Sequence, residues 1–334
     1  MTRPRVSLGA LGGTIASARD PAGTGGVVPS LSARALADAV PGLAELADIT
    51  AMSLLQVAGG ALTFPHLLDV LRWAEEQVDR GAVGVVLTQG TDTLEETSFL
   101  LDLLWGRPEP LVLTGAMRTA DQLSADGPAN LFGAVAVAAA EASRSRGVQV
   151  LMNDLLHEAR WVRKTHSLAV NAFESPNGGA AGALVEGQVR YFRGPPQRVL
   201  APKPQDLNVR VPLIEICLSD EPILLDAARQ AGCQGIVLSA FGAGHAPASW
   251  AEPISAALKV IPVVIATRTG AGATASRTYG FVGSEMDLAR RGALFAGWLD
   301  ARKARLLLWT LLASGASRQD CQDAFARWNI GWTP

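Results

Sequence analysis

The stretch VGVVLTQGTDTLEETSFLLDLLW, residues 83–105, decides the fold class of this chain of 334 residues. It opens with the run Val83–Thr88, which is short and almost wholly apolar, as in a strand that is covered on both faces. A glycine-containing turn follows, and the residues after it have the spacing of an amphipathic helix. A buried strand that leads through a short turn into a helix is the repeating unit of an open, mostly parallel sheet. The stretch therefore predicts an α/β fold.

The same alternation of strand and helix extends in both directions along the chain. In the N-terminal part, the pattern predicts strands at 6–11, 48–57, 83–88, 110–117 and 148–153, and helices at 32–40, 63–80, 93–105 and 128–142. Residues 155–193 hold only short β runs. Beyond residue 210 the alternation restarts, with strands at 211–218, 235–240 and 261–267 and helices at 222–231, 249–259, 301–314 and 317–328.

This organisation predicts two domains. The segment GPPQRVLAPKPQ, residues 194–205, carries four prolines and no periodicity, which is typical of a linker. We therefore predict a larger N-terminal α/β domain with an open, mostly parallel sheet at 1–194, a linker at 195–209, and a smaller parallel α/β domain at 210–334.

Composition and charge exclude several classes of protein. Hydrophobic residues make up 49% of the chain and charged residues 18%, which excludes intrinsic disorder. The 29 Lys and Arg residues nearly balance the 31 Asp and Glu residues, so nucleic acid is not expected as a partner. Three scattered cysteines, and four histidines without an H-x-x-x-H pair, predict neither a disulfide framework nor a metal site. With no secretory signal pattern and no run of 18 apolar residues, we expect a cytoplasmic protein that does not contact a membrane.

Glycine and threonine follow three of the predicted strands at the point where each strand ends. These loops are LGGTIAS (11–17), TQGTDT (88–93) and TGAMRT (114–119). The carboxyl ends of parallel strands meet at one edge of the sheet, where open α/β sheets bind their ligands. Glycine lets a substrate approach the backbone N–H groups, and threonine supplies a hydroxyl that attacks an acyl carbon when a base is near. Together the loops predict an acyl-transfer site.

Each of these signals also has a purely structural explanation. Tight turns need glycine, and Asp92 can be no more than the cap of the helix that starts at Thr93. Lys164 is one of four lysines among the 29 cationic residues, and it follows Arg163 directly. An amine can lose its proton whereas a guanidinium cannot, which favours a role in proton transfer, but an ordinary surface lysine explains the same observation.

Two segments, LGGTIAS (11–17) and VVLTQGTDTLEETSFLLDLL (85–104), resemble the signature segments of bacterial-type L-asparaginases. Similar blocks follow in the order expected for that family: TGAMRTADQLSADGPANLFGAV (114–135), KTHS (164–167) and TYGFVGSEMDLARRG (278–292). The resemblance covers nearly the whole chain. It implies two α/β domains, hydrolysis of a small amide substrate without cofactor or metal, and homodimers or homotetramers in which a neighbour's C-terminal domain completes each site.

The resemblance also implies roles for individual residues. Thr14 matches the primary threonine nucleophile, and Thr91 matches the second catalytic threonine. Asp92 matches the carboxylate that holds the substrate α-amino group, and Lys164 matches the lysine that activates Thr91 together with Asp92. The residues expected to contact the substrate are Gly13, Gly59, Gly60, Gly90, Ala116 and His245.

The chain departs from the family pattern where the substrate α-amino and α-carboxylate groups are held. The loop at 18–30 lacks the usual tyrosine, and Gly59 and Gly60 stand where the family carries serine and then glutamine or a similar residue. His245 replaces an asparagine of the partner domain, and no acid is found in the segment 267–280. Gln89 stands where the family has histidine or a similar residue.

We therefore predict hydrolysis of L-asparagine to L-aspartate and ammonia by a threonine nucleophile. One alternative is an amidohydrolase of the same fold that acts on a different or bulkier amide, on D-asparagine or on L-glutamine. Another is a non-catalytic or ammonia-supplying subunit. A dinucleotide-binding protein is disfavoured, because GALGGT (9–14) is not G-x-G-x-x-G and no acid ends the next strand.

Overall fold

A computed structural model describes residues 3–19 and 27–330. Residues 20–26, in the loop that lacks the tyrosine, lie outside the described residues. The strands are β1 (Arg5–Gly12), β2 (Ser17–Arg19), β3 (Val27–Pro29), β4 (Asp48–Val57), β5 (Gly84–Thr88), β6 (Leu111–Thr114), β7 (Val148–Met152), β8 (Leu155–Glu158), β9 (Arg163–Lys164), β10 (Phe173–Glu174), β11 (Gly182–Val185), β12 (Gln188–Tyr191), β13 (Leu213–Glu215), β14 (Ile236–Ala240), β15 (Val263–Thr267) and β16 (Leu294–Phe295). The α-helices are α1 (Ala33–Asp38), α2 (Leu43–Leu46), α3 (Phe64–Asp79), α4 (Leu94–Leu104), α5 (Gly127–Ala139), α6 (Ile223–Gln230), α7 (Ala251–Leu258), α8 (Glu285–Arg290), α9 (Ala301–Ala313) and α10 (Arg318–Ile330).

The chain forms two compact units, Met1–Arg198 and Val199–Pro334. The first unit is built on an eight-stranded sheet with the order β12-β11-β8-β7-β6-β5-β1-β4. Strands β4, β1, β5, β6 and β7 are parallel, and β8, β11 and β12 extend the sheet with antiparallel pairs. This is the open, mostly parallel sheet that the sequence predicts.

The centre of this sheet is buried on both faces. Every residue of β5, β6 and β7 is buried, which explains why these strands are almost continuously apolar. On one face, Val86 and Val112 pack in a cluster with Leu131 and Val135 of α5. The edge strand β4 has five exposed positions, and four of them carry polar residues: Asp48, Thr50, Ser53 and Gln56.

The helix starts follow the local sequence. Thr63 precedes α3, and its side chain accepts a hydrogen bond from the N–H of His66, while Pro65 lies in the first turn. Ser32 caps α1 in the same way through the N–H of Ala35. The predicted helix at 32–40 is shorter in the structure, and the short helices α2 and α8 were not predicted, because neither is long enough to show a helical period.

The second unit holds a four-stranded sheet with the order β13-β14-β15-β16, in which all three pairs are parallel. All residues of β14 and β15 are buried. A buried cluster joins these strands to Leu225 of α6, Ile254 of α7 and Leu288 of α8. The predicted smaller parallel α/β domain is therefore confirmed.

Candidate active site

The loops after β1 and β5 are in backbone contact at Gly13 and Gly90. Gly12 and Gly13 have φ angles of +101° and +80°, which is a region that residues with a side chain rarely adopt. The N–H of Gly13 donates to the carbonyl oxygen of Val57 at 3.1 Å. A Cβ built on Gly13 would lie 2.1 Å from the backbone nitrogen of Gly90. The residues before Thr14 and Thr91 are therefore in backbone contact.

Gly13→Ala is expected to destabilise the first unit and to abolish activity. The added methyl group collides with the backbone of Gly90, and the positive φ is strained for alanine. We expect the free energy of unfolding to fall by at least about 2 kcal/mol. Gly194→Ala is the matched control, because a Cβ there meets no heavy atom within 4 Å. Thermal unfolding of both variants tests this prediction, and equal melting temperatures would contradict the close contact between Gly13 and Gly90.

Lys164 connects the two polar residues of the loop after β5. Thr91 starts a 3₁₀ turn, Thr91–Thr93, and is only 5% exposed. The Nζ of Lys164 donates to Thr91 Oγ1 at 2.9 Å and to Asp92 Oδ1 at 2.8 Å. The lysine side chain is 16% exposed and that of Asp92 is 76% exposed. Lys164 is therefore not an ordinary surface lysine.

The alternative in which Asp92 only caps a helix is wrong. The start of α4 has Thr93 at its cap position, and no side chain makes a capping hydrogen bond there. The Asp92 carboxylate instead accepts from Lys164 and leaves most of its surface open to solvent. It can therefore bind a second cation, such as an ammonium group, beside the lysine.

Glu95 holds the lysine segment against this loop, a role that the sequence did not reveal. Its buried carboxylate accepts a hydrogen bond from the backbone N–H of Lys164. Lys164 itself lies in the short strand β9, which pairs with β10. An acid in the first turn of a helix ordinarily interacts with the helix dipole, so sequence position alone gave no sign of this contact.

The loop after β6 packs tightly on the same site. A Cβ on Gly115 would lie 2.8 Å from the carbonyl oxygen of Gln89 and 3.1 Å from Thr91 Cγ2. Asp126 accepts from the N–H groups of Met117 and Arg118, and this fixes the loop. The three glycine-containing strand ends thus converge, as the parallel sheet predicts.

Asn130 supports that loop, and Ala116 is part of it. Asn130 donates to the carbonyl oxygen of Gly115 at 3.0 Å and to Asp126. Ala116 is fully buried and packs in the core cluster that also contains Leu131. Its predicted contact with the substrate stays a prediction.

The two glycines of the loop after β4 differ in their surroundings. Residues Gly59–Ala61 form a 3₁₀ turn. A Cβ on Gly59 would lie 3.2 Å from the carbonyl oxygen of Gly90, whereas a Cβ on Gly60 would meet no heavy atom within 4 Å. The N–H of Ala61 already donates to Ala58. Gly60 therefore faces open space at the rim of the converging loops.

His245 belongs to the second unit, where it contacts an acid that the sequence analysis missed. Its Nε2 lies 3.0 Å from Oε2 of Glu285, and its ring meets Tyr279 and Phe281 edge to face. Burial tends to raise the pKa of Glu285, but hydrogen bonds from the N–H groups of Tyr279 and Thr278 and from His245 hold that pKa below its ordinary value. The carboxylate is therefore charged at neutral pH. It lies just beyond the segment 267–280 in which no acid was found.

Within residues 3–19 and 27–330, no group of three or more His, Cys, Asp and Glu side chains is arranged to hold a metal ion. Nor does any helix in the part of the chain that the structure describes have the length and apolar character needed to cross a membrane.

Models of known protein families match both units of the chain. The family model for the N-terminal domain of asparaginases matches residues 5–197, and the model for the C-terminal domain of glutaminases and asparaginases matches residues 210–325. The chain belongs to the asparaginase family. The predicted resemblance and the prediction of a hydrolase acting on amides are thereby confirmed.

Relatives of this asparaginase-family chain match over nearly its full length. It is 37% identical to a probable L-asparaginase of Deinococcus radiodurans, with 97% of this chain and 98% of that protein covered. It is 32% identical to L-asparaginase 2 of Escherichia coli, with 96% and 92% covered. The crystal structure of a probable cytoplasmic L-asparaginase from Campylobacter jejuni superposes with a TM-score of 0.85 at 31% identity, covering 97% of this chain and 99% of that one.

Proposed function

We propose that this protein hydrolyses the side-chain amide of L-asparagine to L-aspartate and ammonia by means of a threonine nucleophile. The observation that carries the proposal is the pair of hydrogen bonds from Lys164 Nζ to Thr91 and Asp92. A hydroxyl becomes a nucleophile or a proton relay when a base lies within hydrogen-bond distance. The names of the relatives from Deinococcus radiodurans and Escherichia coli support asparagine as the substrate.

The proposed roles follow from the chemistry of the side chains. Thr14, in the turn that follows Gly13, attacks the amide carbon; its hydroxyl proton goes to the departing nitrogen, which leaves as ammonia when the C–N bond breaks. Water then hydrolyses the aspartyl ester, and one of its protons returns to Thr14. Thr91 and Lys164, whose Oγ1 and Nζ lie 2.9 Å apart, relay these protons in both steps. Asp92 orients the lysine through one oxygen and binds the substrate α-amino group with its exposed side.

The backbone around the glycines completes the proposed site. Gly13 and Gly90 bring two loops into backbone contact, and this contact places Thr14 and Thr91 in adjoining turns. We propose that the main chain of Gly59 and Gly60 contacts the substrate α-carboxylate in place of the absent serine and glutamine. Because fewer side chains hold the α-amino and α-carboxylate groups of the substrate, we expect weak binding of L-asparagine and little activity on L-glutamine.

Acid quenching during turnover, followed by peptide mapping, tests the threonine mechanism. With L-asparagine in excess, the account expects an aspartyl ester on the peptide that contains Thr14. An ester on Thr91 would reverse the two roles. A quenched enzyme with no ester on either threonine, under conditions where ammonia is released, would contradict a threonine nucleophile.

A bulkier amide is the second candidate substrate, and the surroundings of Gly60 favour it. The open space at Gly60 leaves volume that a substituent on the amino-acid end of a substrate can occupy. Steady-state kinetics on L-asparagine, D-asparagine, L-glutamine and peptides ending in asparagine compare the two candidates. A kcat/KM for a substituted amide well above that for L-asparagine would favour the second.

Assembly and location are part of the proposal. We propose a homodimer or homotetramer in which His245 of a neighbouring copy approaches the substrate, and size-exclusion chromatography of the purified chain tests this. A protein that stays monomeric at all concentrations would contradict it. We also propose a cytoplasmic location. The Campylobacter jejuni relative is named cytoplasmic, whereas a relative in Haemophilus influenzae is named periplasmic.

A further inference from the structure

Thr93, the third polar residue of the loop after β5, makes contacts that the proposed chemistry does not use. Its Oγ1 donates to the carbonyl oxygen of Gly59 at 3.0 Å. The same Oγ1 accepts from Gln89 Nε2 at 3.5 Å, and that Nε2 also donates to the carbonyl oxygen of Gly90 at 3.1 Å. Gln89 is fully buried, so its hydrogen bonds are shielded from competing water. A chain of hydrogen bonds thus runs from the buried amide to the turn after β4.

This series of hydrogen bonds joins the loop after β4 to the loop after β5, which otherwise contact each other through glycine backbone atoms. A Cβ on Gly90 would lie 2.9 Å from the nitrogen of Gly59, so the loops approach closely without side chains between them. Two consecutive glycines permit many orientations of the peptide unit between them. The Gly59 carbonyl also accepts from the N–H of Leu62 at 3.2 Å, which is a bond internal to its own turn. The Thr93 hydroxyl instead ties that turn to the loop that carries Thr91 and Asp92.

The direction of this bond matters for a ligand. In a trans peptide, the C=O of one residue and the N–H of the next point in opposite directions. Because Thr93 and Leu62 hold the C=O of Gly59, the N–H of Gly60 points away from both of them. The same bonds oppose the flip of the Gly59–Gly60 peptide that would reverse this N–H.

We propose that Thr93 is a positioning residue that sets the affinity for the substrate α-carboxylate by fixing the Gly59–Gly60 peptide. The inference rests on the proposed function, in which this peptide contacts the α-carboxylate. Thr93 does not touch the reacting groups, so its loss weakens binding of the carboxylate and leaves the chemical step largely intact. Thr93→Ser keeps the hydroxyl and preserves the effect.

Three ligands separate this role from a general effect on the fold. L-Aspartate carries both α groups, succinate lacks the α-amine, and β-alanine lacks the α-carboxylate. Inhibition constants for the three, together with KM and kcat for L-asparagine, are measured on the wild type, Thr93→Val and Thr93→Ser. Thr93→Ala serves as a second variant without the hydroxyl if Thr93→Val does not fold.

We expect Thr93→Val to raise the KM for L-asparagine and the inhibition constants of L-aspartate and succinate by about 3- to 10-fold, as for the loss of one hydrogen bond. The inhibition constant of β-alanine and kcat should each change by less than about 2-fold, and Thr93→Ser should match the wild type. Equal changes for all three ligands, or a fall confined to kcat, would overturn the inference while the proposed function stands. A wild type that releases no ammonia from L-asparagine overturns the proposed function, and the inference with it.

Discussion

Thr91→Val is expected to lower kcat for L-asparagine by at least about 10³-fold while the protein remains folded. Valine is nearly isosteric with threonine, so the buried position after β5 stays filled. It has no hydroxyl to exchange a proton with Lys164, whose Nζ lies 2.9 Å from the Oγ1 of Thr91. Ammonia release at saturating L-asparagine measures the effect.

The matched control for this change is Thr50→Val, which removes a hydroxyl from an exposed position of the edge strand β4. Its kcat should equal that of the wild type. If Thr91→Val instead keeps more than about a tenth of wild-type turnover, a mechanism that depends on the Thr91 hydroxyl is wrong.

Lys164→Arg and Lys164→Met are both expected to lower kcat by about 10²- to 10⁴-fold, which is the usual range for a lost general base. Arginine keeps the positive charge beside Asp92 but does not lose its proton at neutral pH. Methionine removes both the charge and the amine. Comparing the two variants therefore separates proton transfer from simple charge neutralisation of Asp92.

The control for the lysine variants is Lys259→Arg, at an exposed position directly after α7, which should leave kcat unchanged. Activity of Lys164→Arg close to that of the wild type, with Lys164→Met inactive, would mean that position 164 supplies charge alone. The proton-transfer role assigned to the lysine would then be wrong.

The centre of the fold could be predicted from the sequence because its strands are buried on both faces. The type and order of the central strands could be predicted, because Val85–Leu87 and Leu111–Leu113 are continuously apolar and lie next to clear helical periods. The antiparallel edge of the sheet was harder to predict, since β8, β11 and β12 have four residues each. Runs of that length do not distinguish a parallel from an antiparallel neighbour.

Only part of the candidate site could be predicted from the sequence. The loops of Gly13, Thr91 and Gly115 follow parallel strands, whose carboxyl ends must share an edge. Lys164 lies in a two-residue strand far along the chain, and nothing in its spacing from Thr91 predicts the contact between them. The resemblance to a family supplied it.

Supporting contacts escaped the sequence because each residue also suits an ordinary local role. Thr93 and Glu95 are common at the start of a helix, where they normally stabilise the first turn. In the structure they bind Gly59 and the backbone of Lys164 instead. Glu285 lies five residues beyond the segment 267–280 and reaches His245 only through the fold, so its position in the sequence does not indicate the contact.

Ammonia release from L-asparagine by the purified wild-type chain tests the central claim most directly. The account predicts saturable release of ammonia, with one L-aspartate formed for each ammonia. It also predicts a KM for L-asparagine in the upper part of the range usual for enzymes, because few side chains hold the α-amino and α-carboxylate groups of the substrate. The contradicting result is no ammonia from L-asparagine at any concentration, while the same preparation releases ammonia from a bulkier amide.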